Sequence, residues 1–497
     1  MRNLLIILCL LLGACAQTPT ADLAIRGVTI VNVTDGSLSS GQTVLIEGDR
    51  IVAVGPVAEV AVPDDAEVVD APDGYLIPGL WDMHAHTLSI PIARDIYFPL
   101  FIANGVTGIR SMKTDCFESE QPDCFEEGLA DPIPSIYDIK TWRKEIQAGT
   151  LIGPRIVAGS AMLDGPGPDE QSTPFNPGTA EHARQHAPIL KERGVDFAKI
   201  YNFIPREAYF AFADEANRLG LPFAGHVPEG VRASEASEAG QRSIEHAGFT
   251  NVGEECSARE DEIRRRIRAE FESEEPQLLP IWLDAIESYD AVKCAEVFNT
   301  FIKNGTWVTP TLLAGGYGRL PGEIEFSWRE DPRLRYLPRE EREWWNDAEE
   351  ARNDIEGNTE QQPLVVHFER EVTLAMHRAG VPLLAGSDPP GSGVFAGFGL
   401  HDELEVLVAI GLTEAEALRT ATLEPARYLD AVDTQGTVEV GKVADLVLLS
   451  ANPLEDIANT QKIEAVVARG RFFDRKTLDE ILEDVARAAA EMETGRD

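Results

Sequence analysis

The middle of the chain, from about Pro78 to Asp430, alternates short apolar segments with longer amphipathic segments. The apolar segments have the length and the β-branched content of buried strands, and the amphipathic segments repeat their apolar residues at helical spacing. The eight strand candidates are Trp81–His86, Val106–Met112, Arg155–Ala161, Phe197–Tyr201, Pro222–His226, Ser243–His246, Thr306–Thr309 and Pro382–Gly386. Eight strands that alternate with helices predict a closed parallel (β/α)8 barrel of the TIM type, which makes this an α/β fold.

Both ends of the chain carry strand patterns that differ from those of the middle. LAIRGVTIVNV and TVLIEGDRIVAVG precede the barrel, and GTVEVGKVADLVLLSANP and IEAVVARGRFF follow it. Each piece alone is too short for a stable core, so we expect residues 15–77 and 431–475 to form one small β-sandwich. The barrel then occupies residues 78–430, with helical insertions at about 254–299 and 319–362, and residues 476–497 form a terminal helix.

The amino-acid composition limits the kinds of molecule that the protein is expected to bind. The chain of 497 residues is 43% hydrophobic, which excludes a disordered protein. Its formal net charge of −40 repels nucleic acid and anionic membrane surfaces, so neither is expected as a partner. We expect a small-molecule ligand, and the sequence leaves open whether the chain forms a homo-oligomer.

The first residues have the pattern of a bacterial lipoprotein signal peptide. One Arg precedes an apolar run from Leu4 to Leu12, which is shorter than the roughly 20 residues that a spanning helix needs. The junction LGAC predicts cleavage after residue 14 and lipidation of Cys15. This predicts a periplasmic protein that touches the membrane only through an N-terminal lipid anchor, with the outer membrane favoured. The alternative is ordinary signal cleavage and a soluble periplasmic protein.

Four cysteines remain after Cys9 and Cys15, and in an oxidising compartment they permit two disulfides. Cys116 and Cys124 lie in one loop-like stretch and predict a local bridge. A bridge between Cys256 and Cys294 would join the ends of the first helical insertion. The spacings do not match a metal-binding CxxC pattern, so structural roles are favoured.

Polar residues recur where the predicted barrel strands end. Strand one ends in DMHAH, and alternation along a strand places His84 and His86 on one face. Strand four carries Lys199, strand five ends in His226, strand six in His246 and strand eight in Asp388. Because active sites of these barrels form at the carboxyl ends of the strands, these nitrogen and oxygen ligands predict a hydrolytic centre with divalent metal.

The order of these residues resembles that of the amidohydrolase superfamily, and within it the imidazolonepropionase- and prolidase-like branch. The segments that carry the resemblance are LIPGLWDMHAHT, GVTGIR, DFAKIY, GHVPEG, SIEHAG, GSDPP, LHDELEVLVAIGL, ATLEPARYL and GKVADLVLLSANPLEDI. They cover nearly the whole mature chain. The resemblance implies a binuclear metal-dependent hydrolase that cleaves the C–N bond of a small amide, such as a dipeptide or an N-acyl amino acid.

The resemblance also implies a role for each ligand. His84, His86 and Asp388 would bind the more buried metal ion, most commonly Zn²⁺, and His226 and His246 would bind the second. Lys199 would react with CO2 and bridge both ions as N6-carboxylysine. Burial supports this step, because it lowers the pKa of a Lys and supplies the neutral amine that CO2 requires. Water activated between the ions would attack the carbonyl, with Asp388 as general base and then general acid.

Three further residues are secondary candidates, and each has a structural alternative. Tyr201 should share the face of Lys199 and contact the substrate or the developing oxyanion, or it merely lines the barrel. Arg110 on strand two could bind a substrate carboxylate or pair with a barrel carboxylate. His401 follows a Gly-rich loop and could face the substrate.

Other activities remain open at this stage. His226 and Glu229 form an HxxE, which supplies a metal ligand and an acid in mononuclear deaminases of the superfamily. A lactonase or phosphotriesterase could use the same metal centre. The exact substrate and the native metal are not determined by the sequence.

Overall fold

The structure, a computed structural model, describes residues 20–115, 133–166, 171–173, 175–246, 252–271, 277–313, 328–353 and 358–494. The predicted signal peptide, Cys15 and the predicted Cys116–Cys124 bridge lie outside these residues. None of the helices in the described ranges is both long and apolar enough to cross a bilayer.

Parallel strands follow one another around the barrel in chain order. They are β6 (Leu80–Ala85), β7 (Val106–Ser111), β8 (Arg155–Leu163), β9 (Phe197–Ile200), β10 (Phe223–Gly225), β11 (Ser243–Glu245) and β12 (Trp307–Thr309). These are the first seven predicted strands, within two residues at each end. Their sequences are apolar and almost wholly buried, as parallel strands covered by helices must be.

The predicted eighth strand is a short closing segment without regular strand structure. Val308 N–H donates to Pro382 O at 3.0 Å on one side, and Met83 N–H donates to Ala385 O at 2.9 Å on the other. These bonds join β12 to β6 and close the barrel. A Cβ at Gly386 would lie 2.7 Å from Cβ of His84, so only glycine lets this segment approach β6 so closely.

Helices surround the barrel and form the predicted insertions. They are α1 (Ile90–Ile92), α2 (Phe98–Ala103), α3 (Ile136–Ala148), α4 (Ala180–Arg193), α5 (Arg206–Leu219), α6 (Ala233–Glu238), α7 (Val252–Glu255), α8 (Glu260–Phe271), α9 (Leu279–Glu287), α10 (Ala291–Asn304), α11 (Arg339–Asn353), α12 (Asn358–Ala379), α13 (Phe398–Ile410), α14 (Glu414–Thr420), α15 (Leu423–Tyr428) and α16 (Arg475–Thr494). A π-helical turn, Ala93–Tyr97, lies between α1 and α2, and 3₁₀ turns span Trp328–Glu330, Pro332–Tyr336 and Ile457–Gln461.

The two chain ends meet in one hydrogen-bonded sheet of eight strands, ordered β15-β14-β13-β5-β1-β2-β3, with β4 also paired to β1. Its strands are β1 (Leu23–Val31), β2 (Leu38–Glu47), β3 (Arg50–Pro56), β4 (Glu67–Asp70), β5 (Tyr75–Pro78), β13 (Leu446–Leu449), β14 (Ile463–Ala468) and β15 (Arg471–Asp474). The antiparallel pairing of β5 with β13 joins the two ends. Neither end could bury its apolar face alone, as the sequence predicts.

The first insertion is tied to the barrel by a disulfide. Cys256 and Cys294 are bonded, with their Cα atoms 4.5 Å apart, and both are fully buried. Cys256 follows α7 and Cys294 lies on α10, so the bond joins the start of the insertion to the helix that precedes β12. The predicted Cys256–Cys294 bridge is therefore confirmed.

Candidate active site

Four predicted ligands meet at the carboxyl ends of β6, β11 and the closing segment. Oδ1 of Asp388 lies 3.4 Å from Nε2 of His84 and 3.1 Å from Nε2 of His86. Nε2 of His246 lies 3.9 Å from Oδ2 of Asp388. Ligand atoms of His84, His246 and Asp388 all lie within 4.8 Å of one another.

These separations fit a metal ion. Ligand atoms placed tetrahedrally around Zn²⁺ at about 2.0–2.1 Å are about 3.3 Å apart. The distances of 3.4 and 3.1 Å from Asp388 to His84 and His86 match that value. Two imidazoles and a carboxylate are also a donor set that Zn²⁺ accepts.

His226 lies beside this group. Its ring centroid is 4.8 Å from that of His246, and the His246 ring is 4.6 Å from that of His84. The four histidines therefore form a continuous cluster from β6 to β10.

Lys199 is buried in the barrel with 1% of its surface exposed. Its Nζ makes no hydrogen bond or ion pair with any residue of the described ranges, although the nearby charges of Glu245 and Asp388 raise its pKa. Burial lowers the pKa of the Lys199 ammonium to about 8. A buried lysine that lacks an ion-pair partner is rare in proteins, so a structural salt bridge does not explain it.

Three imidazoles are oriented through their Nδ1 atoms. Each pairs with a side-chain oxygen: His84 with Glu245 at 3.0 Å, His226 with Asn202 at 2.7 Å and His246 with Thr311 at 2.5 Å. When Nδ1 donates its proton to such an oxygen, Nε2 keeps the lone pair that a metal requires. Burial also lowers the pKa of these three rings, to about 3 for His246, so they are neutral at pH 7.

Asp388 is ionised despite its surroundings. Burial raises the pKa of its carboxyl, but His84, His86 and His246 lower it more strongly, and the net pKa lies well below the ordinary range. Asp388 and His246 also have left-handed φ angles of 62° and 55°. Such strain in non-glycine residues is concentrated at functional sites, where the surrounding structure enforces it.

Asp82 holds two ligands together, a role that the sequence reasoning missed. Its Oδ1 accepts the N–H groups of His84 at 3.1 Å and of Ser387 at 3.0 Å, and its Oδ2 accepts the Ser387 hydroxyl at 2.5 Å. These bonds join the ligand-bearing end of β6 to the residue before Asp388. The sequence did contain a signal for this role, since Asp82 stands within the otherwise apolar strand LWDMHA, and a buried carboxylate needs hydrogen-bond partners.

Tyr201 lies beside the cluster, with its ring centroid 4.5 Å from that of His226. It follows β9 directly and is half-buried. This position is compatible with the predicted contact to a substrate, which stays a prediction.

The predicted substrate contact of Arg110 is wrong. The side chain is fully buried, and its five N–H donors are all used, by Met83 O, Ser243 Oγ, Tyr428 OH, Glu245 Oε2 and Thr309 Oγ1 at 2.6–3.0 Å. Since guanidinium has five donors, none remains for a substrate. Arg110 instead pairs with Glu245, the barrel carboxylate that holds His84.

The predicted substrate contact of His401 is also wrong. It lies on α13 with 1% exposure, its Nδ1 is 2.9 Å from Thr460 Oγ1 and its Nε2 is 3.0 Å from Asn104 O. Both ring nitrogens therefore tie α13 to neighbouring elements. The Gly-rich loop before α13 carried no signal that could have revealed these partners.

Glu229, the acid of the HxxE, is directed toward the first insertion. Burial and Glu254 raise the pKa of Glu229 to about 8, while Arg264 and Arg268 oppose that rise. These neighbours belong to α7 and α8, not to the histidine cluster. The groups that shift the pKa of Glu229 include none of the clustered histidines.

Comparison with known proteins agrees with this geometry. The model of the amidohydrolase family matches residues 75–473. Bottromycin amidohydrolase superposes with a TM-score of 0.69 at 21% identity, covering 94% of this chain and 90% of that one. A Xaa-Pro dipeptidase with bound methionine superposes with a TM-score of 0.62 at 19% identity, covering 91% and 99%. At these identities the two likenesses show the fold alone.

Curated relatives match over short stretches. An adenine deaminase of Mesorhizobium japonicum is 29% identical over 175 residues, and one of Rubrobacter xylanophilus is 38% identical over 88 residues. The matches span only 29% and 14% of the lengths of these enzymes. The family match, in contrast, takes in β5, the whole barrel and nearly all of the final strand. On its fold, its ligand cluster and this match, the chain belongs to the amidohydrolase family.

Proposed function

We propose that the protein is a binuclear metal-dependent amidohydrolase that cleaves an amide or peptide C–N bond of a small substrate, such as a dipeptide or an N-acyl amino acid. The observation that carries the proposal is the convergence of His84, His246 and Asp388 ligand atoms within 4.8 Å, with His86, His226 and Lys199 around them. Two proteins that share the fold are by name a Xaa-Pro dipeptidase and bottromycin amidohydrolase, and we choose a small amide as the proposed substrate by analogy with those names.

His84, His86 and Asp388 would hold one ion, and His226 and His246 the other. The geometry around Asp388 suits Zn²⁺, as the tetrahedral separations indicate. Two such ions would supply hydroxide at neutral pH and polarise the scissile carbonyl.

Lys199 would carry the bridge between the ions as a carbamate. The neutral amine would attack CO2: an N–C bond would form as one C=O π bond opens, the nitrogen would release one proton to solvent, and the carbamate would carry a single negative charge shared by two oxygens. Burial without an ion-pair partner in the described part of the chain supports this step, because a pKa lowered to about 8 gives a much larger fraction of neutral amine at pH 7 than an exposed lysine has. A carbamate would in turn give the cluster an anion that the plain amine lacks.

Asp388 would move the proton. Its carboxylate is ionised, and it can therefore accept a proton on an oxygen from the attacking water and return it to the leaving nitrogen. Tyr201, next to His226, would donate a hydrogen bond to the substrate or to the developing oxyanion.

The location of the protein is proposed from its sequence. The lipobox at Cys15 supports a lipid-anchored periplasmic protein, with a soluble periplasmic form as the alternative. Labelling with a radioactive fatty acid, with Cys15→Ser as the control, tests this.

Metal analysis combined with a substrate panel tests the activity. We expect two Zn²⁺ ions per chain, and hydrolysis of dipeptides or N-acyl amino acids that recovers with Zn²⁺ plus bicarbonate after acid stripping. One ion per chain and release of ammonia from a nucleobase would instead support a mononuclear deaminase. Hydrolysis confined to esters or phosphotriesters would support a lactonase or phosphotriesterase.

A further inference from the structure

The start of α13 is the part of the LHDELEVLVAIGL segment that the ligand set leaves unexplained. Its polar residues contact three different parts of the fold: His401 contacts Asn104 and Thr460, Asp402 contacts Arg333, and Glu403 contacts the loop after β12. Among these, Glu403 reaches the segment that holds a ligand of the metal centre.

Glu403 is fully buried and accepts hydrogen bonds from two consecutive backbone N–H groups. Its Oε1 accepts the N–H of Leu312 at 3.0 Å, and its Oε2 accepts the N–H of Leu313 at 3.2 Å. A carboxyl group whose two oxygens accept successive N–H groups fixes the direction of the chain at that point. The residue just before this pair is Thr311.

Thr311 is held in a conformation that it would not adopt freely. Its φ of 47° is left-handed, which is strained for a β-branched residue. Because Glu403 binds the next two N–H groups, it can enforce this conformation. The Thr311 side chain is thereby directed to His246.

The Thr311 hydroxyl has two neighbours that can take its single proton, Pro310 O and Nδ1 of His246. Oγ1 lies 2.8 Å from Pro310 O and 2.5 Å from Nδ1 of His246. When that proton lies toward Pro310 O, Oγ1 accepts the bond from Nδ1–H of His246. His246 then carries its proton on Nδ1 and presents the lone pair of Nε2 to the metal centre.

We propose that Glu403 is a positioning residue for metal binding, which acts through Thr311 to fix the tautomer and the orientation of His246. This inference rests on the proposed binuclear function. The role requires no contact between Glu403 and substrate or metal. It explains why a carboxylate lies buried on α13, where the reaction itself does not need one.

Substitutions at Thr311 test the proposal without disturbing the buried carboxylate. Thr311→Val keeps the shape and removes the acceptor, whereas Thr311→Ser keeps the hydroxyl. Glu403→Gln leaves one oxygen for two N–H groups. Glu405→Gln is the matched control on the same helix, because Glu405 binds Gln461 at an exposed position.

The measurement is the Zn²⁺ affinity of each site, obtained by titrating metal-stripped protein against a chromophoric chelator in the presence of bicarbonate. We expect one of the two sites to weaken about 10–100-fold in Thr311→Val and in Glu403→Gln. The other site should keep its affinity, and Thr311→Ser and Glu405→Gln should resemble the wild type.

Turnover provides a second readout, in which Thr311→Val should lower kcat more than it changes KM for an active amide. If the wild type binds two ions and Thr311→Val keeps both affinities within twofold, the role of Glu403 is overturned while the proposed function stands. If the wild type binds a single ion, the proposed function fails and this inference fails with it. Glu403→Gln that does not fold leaves Thr311→Val to decide.

Discussion

Replacing Glu245 with glutamine removes the charge at the centre of the network beneath the metal site. Oε2 of Glu245 accepts Nη2–H of Arg110 at 2.7 Å and Nδ1–H of His84 at 3.0 Å, and Oε1 accepts the Ser243 hydroxyl at 2.5 Å. Arg110 and Glu245 are both 0% exposed. An amide nitrogen cannot accept any of these bonds, so Glu245→Gln leaves a buried donor without an acceptor and a guanidinium without its counter-charge.

The expected cost follows from burial. Removing one partner of a buried ion pair typically costs about 3–5 kcal/mol, because the remaining charge stays buried and uncompensated. That is a large part of the roughly 5–15 kcal/mol by which domains are stable. Loss of the acceptor behind His84 should also weaken metal binding about 10–100-fold.

The assay is urea unfolding of metal-stripped wild type, Arg110→Met, Glu245→Gln and the double variant Arg110→Met/Glu245→Gln. Each single change should cost about 3–5 kcal/mol, and the double change should cost clearly less than the sum, because no unpaired charge remains. The control is Asp70→Asn, which breaks the exposed Arg26–Asp70 pair and should change stability little. A Glu245→Gln variant as stable as the wild type, or strictly additive single changes, would refute this reasoning.

Three other predictions concern separate parts of the molecule. Asp388→Asn should retain metal but lose most of its turnover, and full activity at normal metal content would reject its role as the base. The buried carboxyl of Glu341 accepts a hydrogen bond from the Tyr97 hydroxyl. Burial raises the pKa of Glu341 to about 7, so the folded state keeps a proton that the unfolded chain releases near pH 4.5. The wild type should therefore lose up to about 3 kcal/mol relative to Glu341→Gln as pH rises from 4.5 to above 7, and urea unfolding at pH 5 and 8 should show a difference that grows in this direction. Replacing both Cys256 and Cys294 with Ser removes a disulfide that joins residues 38 positions apart, and it should lower the free energy of unfolding by about 4 kcal/mol. Urea unfolding against the oxidised wild type measures this loss, and an unchanged midpoint would contradict it.

The strands and the ligand residues were predictable because both follow from local pattern. Parallel barrel strands are buried on both sides and therefore appear as short apolar runs, and His84 and His86 stand two residues apart at the end of one of them. The closing segment was predictable as a barrel element but not as irregular backbone. Its geometry depends on Gly386, which lets the segment approach β6 closely enough to bring Asp388 to His84.

The predicted substrate contact of Arg110 failed because alternation along a strand does not give the level of a side chain inside the barrel. Between two paired positions, strand β6 advances three residues, from Asp82 to Ala85, while β7 advances two, from Ile109 to Ser111. Because of this register shift, the heights of side chains inside the barrel cannot be obtained by counting residues along neighbouring strands. Arg110 lies below the ligands, beside Glu245. His401 failed because its partners, Asn104 and Thr460, are distant in the chain.

By itself, the order of residues along the chain determined which segments become strands and helices, that the two ends pair, and which side chains are chemically able to bind a metal. Those properties depend on hydrophobic spacing and residue type, which are local. Only the tertiary structure decided which side chain binds Nδ1 of each histidine, and that Arg110 is a buried partner of Glu245. The bonds of Glu245 to His84 and to Arg110 join residues 161 and 135 positions apart, and their geometry exists only once the barrel has closed.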